Sequence, residues 1–100
     1  MIRSKTKKST GNVFRDVGFS PEEAASLKIR ADLMIKLSEI ISKKKLTQAG
    51  AAKLMGVTQP RVSDLVRGKI DLFSIDTLID MISRAGGAVQ VTVRGTKKAA

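Results

Sequence analysis

The sequence predicts a mainly α domain of four to five helices that ends in a short β-strand. Four segments with apolar residues at helical spacing each follow a Ser or Thr, residues that are preferred helix N-caps. These expected caps are Ser20, Thr47, Thr58 and Ser74. Near the end of the chain the apolar period changes to two, because Val89, Val91 and Val93 alternate with polar residues. Several helices followed by one strand are therefore the expected architecture.

Length and charge set the expected organisation of the chain. Its 100 residues provide for one domain with tails. The net charge is +10, and the terminal stretches 1–8 and 94–100 hold 7 cations and no acid. We expect a flexible basic N-terminal arm at 1–11, a folded domain at 12–94 and a basic tail at 95–100. Such basic ends favour polyanions, nucleic acid first, although they also serve as solvated tails that aid solubility.

The residue types that the sequence lacks weigh against an enzyme. There is no His and no Cys, so the commonest general base and any thiolate metal site are missing. We therefore expect neither a cofactor nor a metal. No apolar run reaches the roughly 18 residues of a membrane helix, and no apolar stretch follows the basic N-terminus as in a secretory signal. A cytoplasmic location is expected. Only three aromatic residues are present, which favours duplex DNA over RNA as a partner.

The first predicted long helix begins at Ser20 and follows an ambiguous segment. Asn12–Phe19 is apolar in part, and we expect it to form either a short strand or an apolar latch. After the cap, Pro21 suits the first helical position and Glu23 completes a capping box. Neither Pro nor Gly interrupts the stretch Glu22–Lys45, so one long helix is expected there.

Two short helices in the middle of the chain form an expected helix-turn-helix at Thr47–Gly68. They are predicted at Gln48–Met55 and Gln59–Arg67. Gly56 follows the first of them, at a turn where the backbone is expected to be left-handed, a conformation that costs little free energy only for Gly or Asn. Ala52 lies where the two helices cross, and a large side chain there would push them apart. This pattern is typical of a DNA-reading motif, although a plain helical hairpin shares part of it.

The last elements are a helix and the C-terminal strand. The helix is predicted at Ile75–Ala85 after Ser74. The strand is predicted at Ala88–Arg94, and it needs a partner because a lone strand leaves its backbone groups unpaired. That partner is either Asn12–Arg15 of the same chain or a strand of a second subunit, and we favour the dimer.

The stretch Leu46–Lys69 resembles the helix-turn-helix of XRE/Cro–C1-type regulators, with the pattern L-T-Q-x-x-A-A-x-L-x-G-V-T-Q-x-x-V-S-x-L-x-x-G-K. The segments Gly11–Ala24 and Asp71–Leu78 are similar to short regulators of this group, many of which are HigA-like antitoxins. The resemblance implies a lambda-repressor-like domain with a central helix-turn-helix. The sequence departs from the pattern at Gly50, where a good helix former is usual and Gly costs about 1 kcal/mol relative to Ala.

The resemblance also implies which side chains contact DNA. The expected base-reading residues on the third predicted helix are Gln59, Pro60, Arg61, Ser63 and Asp64. The expected phosphate-binding residues are Gln48, Thr58, Arg67 and Lys69. Asp64 has two open roles, since it either accepts from cytosine or orients Arg61 through an i,i+3 pair, which we favour. Pro60 is equally explained as a residue tolerated in a first turn, and Thr58 is explained as a cap.

The partners that follow are double-stranded DNA, a second copy of the chain and a toxin protein. One helix reads about four base pairs, which is too little for a genome, so we expect a homodimer on a palindromic operator. The expected function is an autorepressor that is also the antitoxin of a toxin–antitoxin pair. The alternative is a stand-alone repressor of the XRE type without a toxin partner.

Overall fold

The computed structural model describes residues 11–95 of the chain. The expected basic arm and tail lie outside the described residues, apart from Gly11 and Gly95. In chain order the helices are α1 (Val13–Asp16), α2 (Pro21–Lys43), α3 (Gln48–Met55), α4 (Gln59–Val66), a 3-10 turn (Ile70–Leu72) and α5 (Ile75–Arg84). The mainly helical prediction is confirmed, and α2, α4 and α5 each end one or two residues before the predicted position.

Each of the four longer helices begins at the Ser or Thr that the sequence predicts. In every case the cap hydroxyl accepts a hydrogen bond from the backbone N–H three residues later, at distances of 3.0–3.3 Å. The pairs are Ser20 with Glu23, Thr47 with Gly50, Thr58 with Arg61, and Ser74 with Thr77. Because these bonds satisfy donors that the helix itself leaves free, the helix starts are encoded locally.

The segment before α2 is a short helix, so the strand alternative for Asn12–Phe19 is wrong. The side chain of Asn12 caps α1, since its Oδ1 accepts from the N–H of Phe14 at 2.9 Å. Its Nδ2 donates to the carbonyl of Ala24 at 3.0 Å, which ties α1 to α2. The rings of Phe14 and Phe19 meet edge to face, with centroids 6.1 Å apart. One side chain thus caps α1 and fixes it against the long helix.

The predicted C-terminal strand at Ala88–Arg94 is also wrong for the described chain. Residues 88–95 have no regular secondary structure, and no strand occurs anywhere between residues 11 and 95. The candidate partner Asn12–Arg15 lies in and beside α1, so its backbone is not available for a ladder. Val89 packs against the core, whereas Val91 and Val93 are 76% and 87% exposed. Alternation alone therefore does not make a strand.

A core between α2, α3, α4 and α5 holds the two short helices in place. The largest fully buried side chains are Leu37, Met55, Val62, Leu65, Leu78 and Met81. Burial of such a side chain contributes about 1.5–3 kcal/mol. No polar or charged side chain of the described residues is buried. The core thus orients α3 and α4 by apolar packing and leaves their polar side chains toward solvent.

Candidate nucleic-acid interface

The turn between α3 and α4 has the tight geometry that the motif requires. Gly56 has φ +71°, a left-handed conformation that costs little only without a side chain. A Cβ at this position would lie 2.8 Å from Cδ of Arg84 on α5. At the crossing of the helices, Ala52 is buried and Val62 has no exposed surface. The left-handed turn predicted at Gly56 is therefore confirmed, and Ala52 is buried as its predicted position between the helices requires.

Gly50 lies in the first turn of α3, three residues after the N-cap Thr47. Its N–H donates to Oγ1 of Thr47 at 3.0 Å. A Cβ at Gly50 would lie 3.2 Å from that same oxygen, which is closer than ordinary van der Waals contact. The lower helix propensity of Gly is thus accompanied by a tight fit that Ala would disturb.

The start of α4 presents polar side chains to solvent. Thr58, Gln59 and Pro60 are exposed, and Ser63 and Asp64 are half-buried. Helical spacing places Pro60, Ser63 and Asp64 opposite the buried Val62 and Leu65. Because α4 faces the core with Val62 and Leu65, this opposite face is the one that can approach a major groove.

Arg61 differs from the other predicted base readers in that its side chain contacts the protein. Its Nη1 donates to the backbone carbonyl of Leu72 at 3.0 Å. Its guanidinium lies over the ring of Phe73, with Cζ 5.4 Å from the ring centroid, within the range of a cation–π contact. No local sequence pattern indicates this contact, because Leu72 and Phe73 lie eleven and twelve positions after Arg61 along the chain.

The i,i+3 pair that would let Asp64 orient Arg61 does not form. In the described part of the chain, ion pairs join Lys28 with Asp32, Lys36 with Glu39, and Asp80 with Arg84. None links Asp64 to Arg61, whose guanidinium faces Leu72 and Phe73. The carboxylate of Asp64 is therefore available on the outward face of α4.

The predicted phosphate-binding residues lie at helix ends around α4. Gln48 is the first residue of α3, Thr58 caps α4, and Arg67 and Lys69 follow the end of α4. All four are exposed. Exposed polar and basic groups at helix termini suit contacts to a sugar–phosphate backbone.

Lys53 is a further candidate that the sequence interpretation missed. It is exposed on α3 and, with Val57 and Gln59, lines a cleft of ≈ 490 Å³ between α3 and α4. The available signal was a cation on the solvent side of the first motif helix. Its position beside Gln59 adds positive charge next to a predicted base reader.

Two other classes of site are not found among residues 11–95. No helix there is long and apolar enough to cross a membrane. No group of three or more acidic, His or Cys side chains is arranged to hold a metal ion.

Comparison with known proteins agrees with this geometry. A family model described as a helix-turn-helix domain matches residues 13–94. The Mycobacterium tuberculosis (strain ATCC 25618 / H37Rv) protein named "Putative antitoxin HigA2" is 36% identical over 59 residues, which are 59% of this chain and 58% of that protein. The chain thus matches less than two thirds of the length of that relative. A solved structure named "Putative XRE Family Transcriptional Regulator" is 27% identical, with a TM-score of 0.70 over 78% of this chain and 88% of that chain.

The family match spans the whole described fold from α1 to the segment after α5. The structural neighbour shares its helical arrangement. The family is described as a helix-turn-helix domain, and the structural neighbour is named as a transcriptional regulator of the XRE family. The chain therefore belongs to the helix-turn-helix domain family and is a DNA-binding transcriptional regulator of the XRE type.

Proposed function

We propose that this regulator is a repressor that binds a palindromic operator in double-stranded DNA as a homodimer. The observation that carries the proposal is the capped helix α4, whose apolar side is buried while its polar side is exposed at the start of the helix. Such a helix enters a major groove with its N-terminal residues at base edges. Repression then follows from occupation of the promoter by this domain.

Base reading is assigned to the outward face of α4. Gln59 is exposed and suits a bidentate contact to adenine, and Asp64 accepts from the amino group of cytosine. Ser63 and Pro60 add a short polar contact and an apolar contact to a thymine methyl group. Arg61 suits a contact to guanine, but its guanidinium must first leave Leu72 and Phe73. The loss of those contacts offsets part of the binding free energy that the guanine contact contributes.

Phosphate binding is assigned to the exposed groups that flank this face. Gln48 and Thr58 stand at helix N-termini, and Arg67 and Lys69 stand beyond the end of α4. Lys53 joins them from α3. These contacts fix the register of the domain on the duplex and supply most of the salt-dependent affinity.

Selection of bound sites from random duplex DNA tests this function. We expect an inverted repeat whose half-sites are centred about 34 Å apart, one turn of the duplex. The Gln59→Ala variant, selected in parallel, should lose preference at one position of each half-site. Recovery of no motif, or of single half-sites alone, would contradict the proposal.

A second candidate function is that of an antitoxin. The named mycobacterial relative supports it, as do the apolar side chains that α1 and α2 leave exposed, such as Val13, Val17 and Ile35. In this role the regulator binds a small ribonuclease toxin and represses the promoter of both genes from the cytoplasm. A toxin-sized reading frame beside the gene and co-purification of its product are expected; without them the stand-alone repressor remains.

A further inference from the structure

Two cavities meet on the face of the molecule formed by α1, α2 and the 3-10 turn. The first, of ≈ 620 Å³, lies between α2 and the end of α4. The second, also of ≈ 620 Å³, lies between α1 and the N-terminal half of α2. Phe14 and Ile70 line both cavities, so the two adjoin, and we call the pair the α1 groove.

The first half of the α1 groove is mainly apolar, with Glu39 as the one charged residue of its lining. Met34 and Leu65 form part of its lining, and both are core residues. At its edges, Ile35 and Val66 are 56% and 43% exposed. At the far side of the second cavity, Phe19 is 45% exposed. Exposed apolar side chains around a depression are typical of protein-interaction sites, because an occupant removes them from water.

The second half of the α1 groove is acidic in a strongly basic chain. Three of the chain's 9 acids, Glu22, Glu23 and Asp71, line it. The one cation among its lining residues is Arg30, whose Nη1 donates to the carbonyl of Ile70 at 3.3 Å. A surface of this sign repels the phosphates of DNA and attracts a basic group.

We propose that the α1 groove docks an amphipathic basic helix from a second protein. Its apolar side chains fill the first cavity against Met34 and Ile35, and its Lys or Arg side chains reach Glu22 and Asp71 in the second. A second copy of this chain fits less well, because each of its four longer helices already buries apolar side chains in its own core. The helix leaves the base-reading start of α4 uncovered, since only the end of α4 borders the groove.

The identity of such a partner rests on the proposed function. An enzyme that cleaves RNA must present cations to its substrate, so a ribonuclease toxin has the chemistry that this groove accepts. The docking surface itself is tested without the toxin and separately from DNA binding.

The probe is a synthetic peptide of about 18 residues, five helical turns, with Leu on one face and Lys on the other. A peptide with Glu in place of every Lys is its control. Binding to the full chain is followed by fluorescence anisotropy and by backbone amide NMR shifts. We expect the Lys peptide to bind and to shift the signals of Phe14 and Ile70, while the Glu peptide does not bind.

Two matched double variants separate the groove from the overall charge. Glu22→Gln with Asp71→Asn should weaken binding of the Lys peptide about tenfold, since both removed carboxylates line the groove. Asp32→Asn with Asp80→Asn changes the net charge equally at positions outside it and should change affinity by less than about twofold. Equal weakening by both pairs would overturn the proposal.

Three further results would also overturn it. In the first, the Glu peptide binds as tightly as the Lys peptide. In the second, the triple variant Lys5→Gln, Lys7→Gln and Lys8→Gln binds the peptide more tightly, which would mean that the chain's own basic arm occupies the groove. In the third, the NMR signals of the groove change with protein concentration alone, which would mean that a second copy occupies it. Operator binding by the same variants is measured in parallel. If the groove variants lose peptide binding but keep operator binding, the docking surface is separate from the DNA-binding surface, as proposed.

Discussion

Arg61 on α4 is held against Phe73 in the segment that precedes α5. Its guanidinium lies 5.4 Å from the centre of that ring, and its Nη1 donates to the neighbouring carbonyl of Leu72 at 3.0 Å. Phe73 is only 3% exposed and belongs to the core. A side chain predicted to read a base thus also closes the loop between α4 and α5, and its loss affects both the fold and DNA binding.

The first prediction follows from this contact. Arg61→Ala should lower the free energy of unfolding by about 1 kcal/mol, because a partly exposed cation–π contact and one hydrogen bond are removed. Arg61→Lys should lose less, since it keeps the charge and the aliphatic stem. Denaturant unfolding of the DNA-free protein measures both. An unchanged unfolding midpoint for Arg61→Ala would show that the contact contributes nothing to stability.

The second prediction separates base reading from phosphate binding. Gln59→Ala should weaken operator binding by about 1–3 kcal/mol and relax preference at one base position. Lys69→Ala should weaken all duplexes to a similar extent and flatten the salt dependence of binding, because it removes a phosphate contact. Titrations of the operator and single-base variants at several salt concentrations measure both effects. If the two variants behave alike across sequences, the assigned roles are wrong.

Most helix boundaries were predictable because their signals are local. A cap hydroxyl accepts a hydrogen bond from a backbone N–H only three residues later, so Thr47 and Thr58 predict where the two motif helices begin from sequence alone. α1 also carried such a signal in Asn12, but its four residues are too few for a periodic pattern. Its helical state depends partly on the bond from Asn12 to Ala24, which the sequence does not reveal.

The features that sequence reasoning missed depend on contacts between distant residues. Val91 and Val93 have a strand-like pattern, but a strand needs a neighbouring strand that the described chain does not offer. The contact of Arg61 with Phe73 is likewise set by how α5 packs against α2 and α3. In the candidate site, helical periodicity and the cap therefore predict which face of α4 is exposed, but they do not predict that Arg61 on this helix contacts Leu72 and Phe73.

The third prediction concerns the turn of the motif. Gly56→Ala should destabilise the protein by more than Gly68→Ala, although both glycines have a left-handed φ, +71° and +73°. The added Cβ at Gly56 meets Arg84 at 2.8 Å, whereas nothing lies within 4 Å of one at Gly68. We expect a loss of about 1–2 kcal/mol at both positions from backbone conformation, and a small additional loss at Gly56, where the flexible end of Arg84 must shift while it is paired with Asp80 at 2.9 Å. Thermal unfolding of both variants gives the difference, and equal losses would mean that Arg84 moves aside without cost.

The fourth prediction concerns the cap of α4. Thr58→Ala should cost about 1 kcal/mol of stability, because the N–H of Arg61 loses the hydroxyl that accepts from it at 3.3 Å. Thr58→Ser keeps that hydroxyl and should retain both stability and operator affinity. If the hydroxyl also contacts a phosphate, the alanine variant loses affinity even where the protein is fully folded. Equal stability of the alanine and serine variants would show that the cap bond is energetically silent.

The last prediction concerns the homodimer. We expect light scattering at about tens of micromolar, without DNA, to give twice the monomer mass, since one helix reads too few base pairs to select an operator. Val91 and Val93, at 76% and 87%, are the two most exposed large apolar side chains among residues 11–95, so contact with a second copy would remove the most apolar surface there. Val91→Ser with Val93→Ser should therefore shift the chain toward the monomer and weaken binding to a full palindrome more than to a half-site.

The matched control for the dimer test is Val13→Ser with Val17→Ser, which should leave the mass unchanged. These two residues lie on α1 and at its C-cap and are 60% and 67% exposed. A monomeric mass for the unaltered protein contradicts the dimer, and dissociation by the control pair instead places the interface on α1.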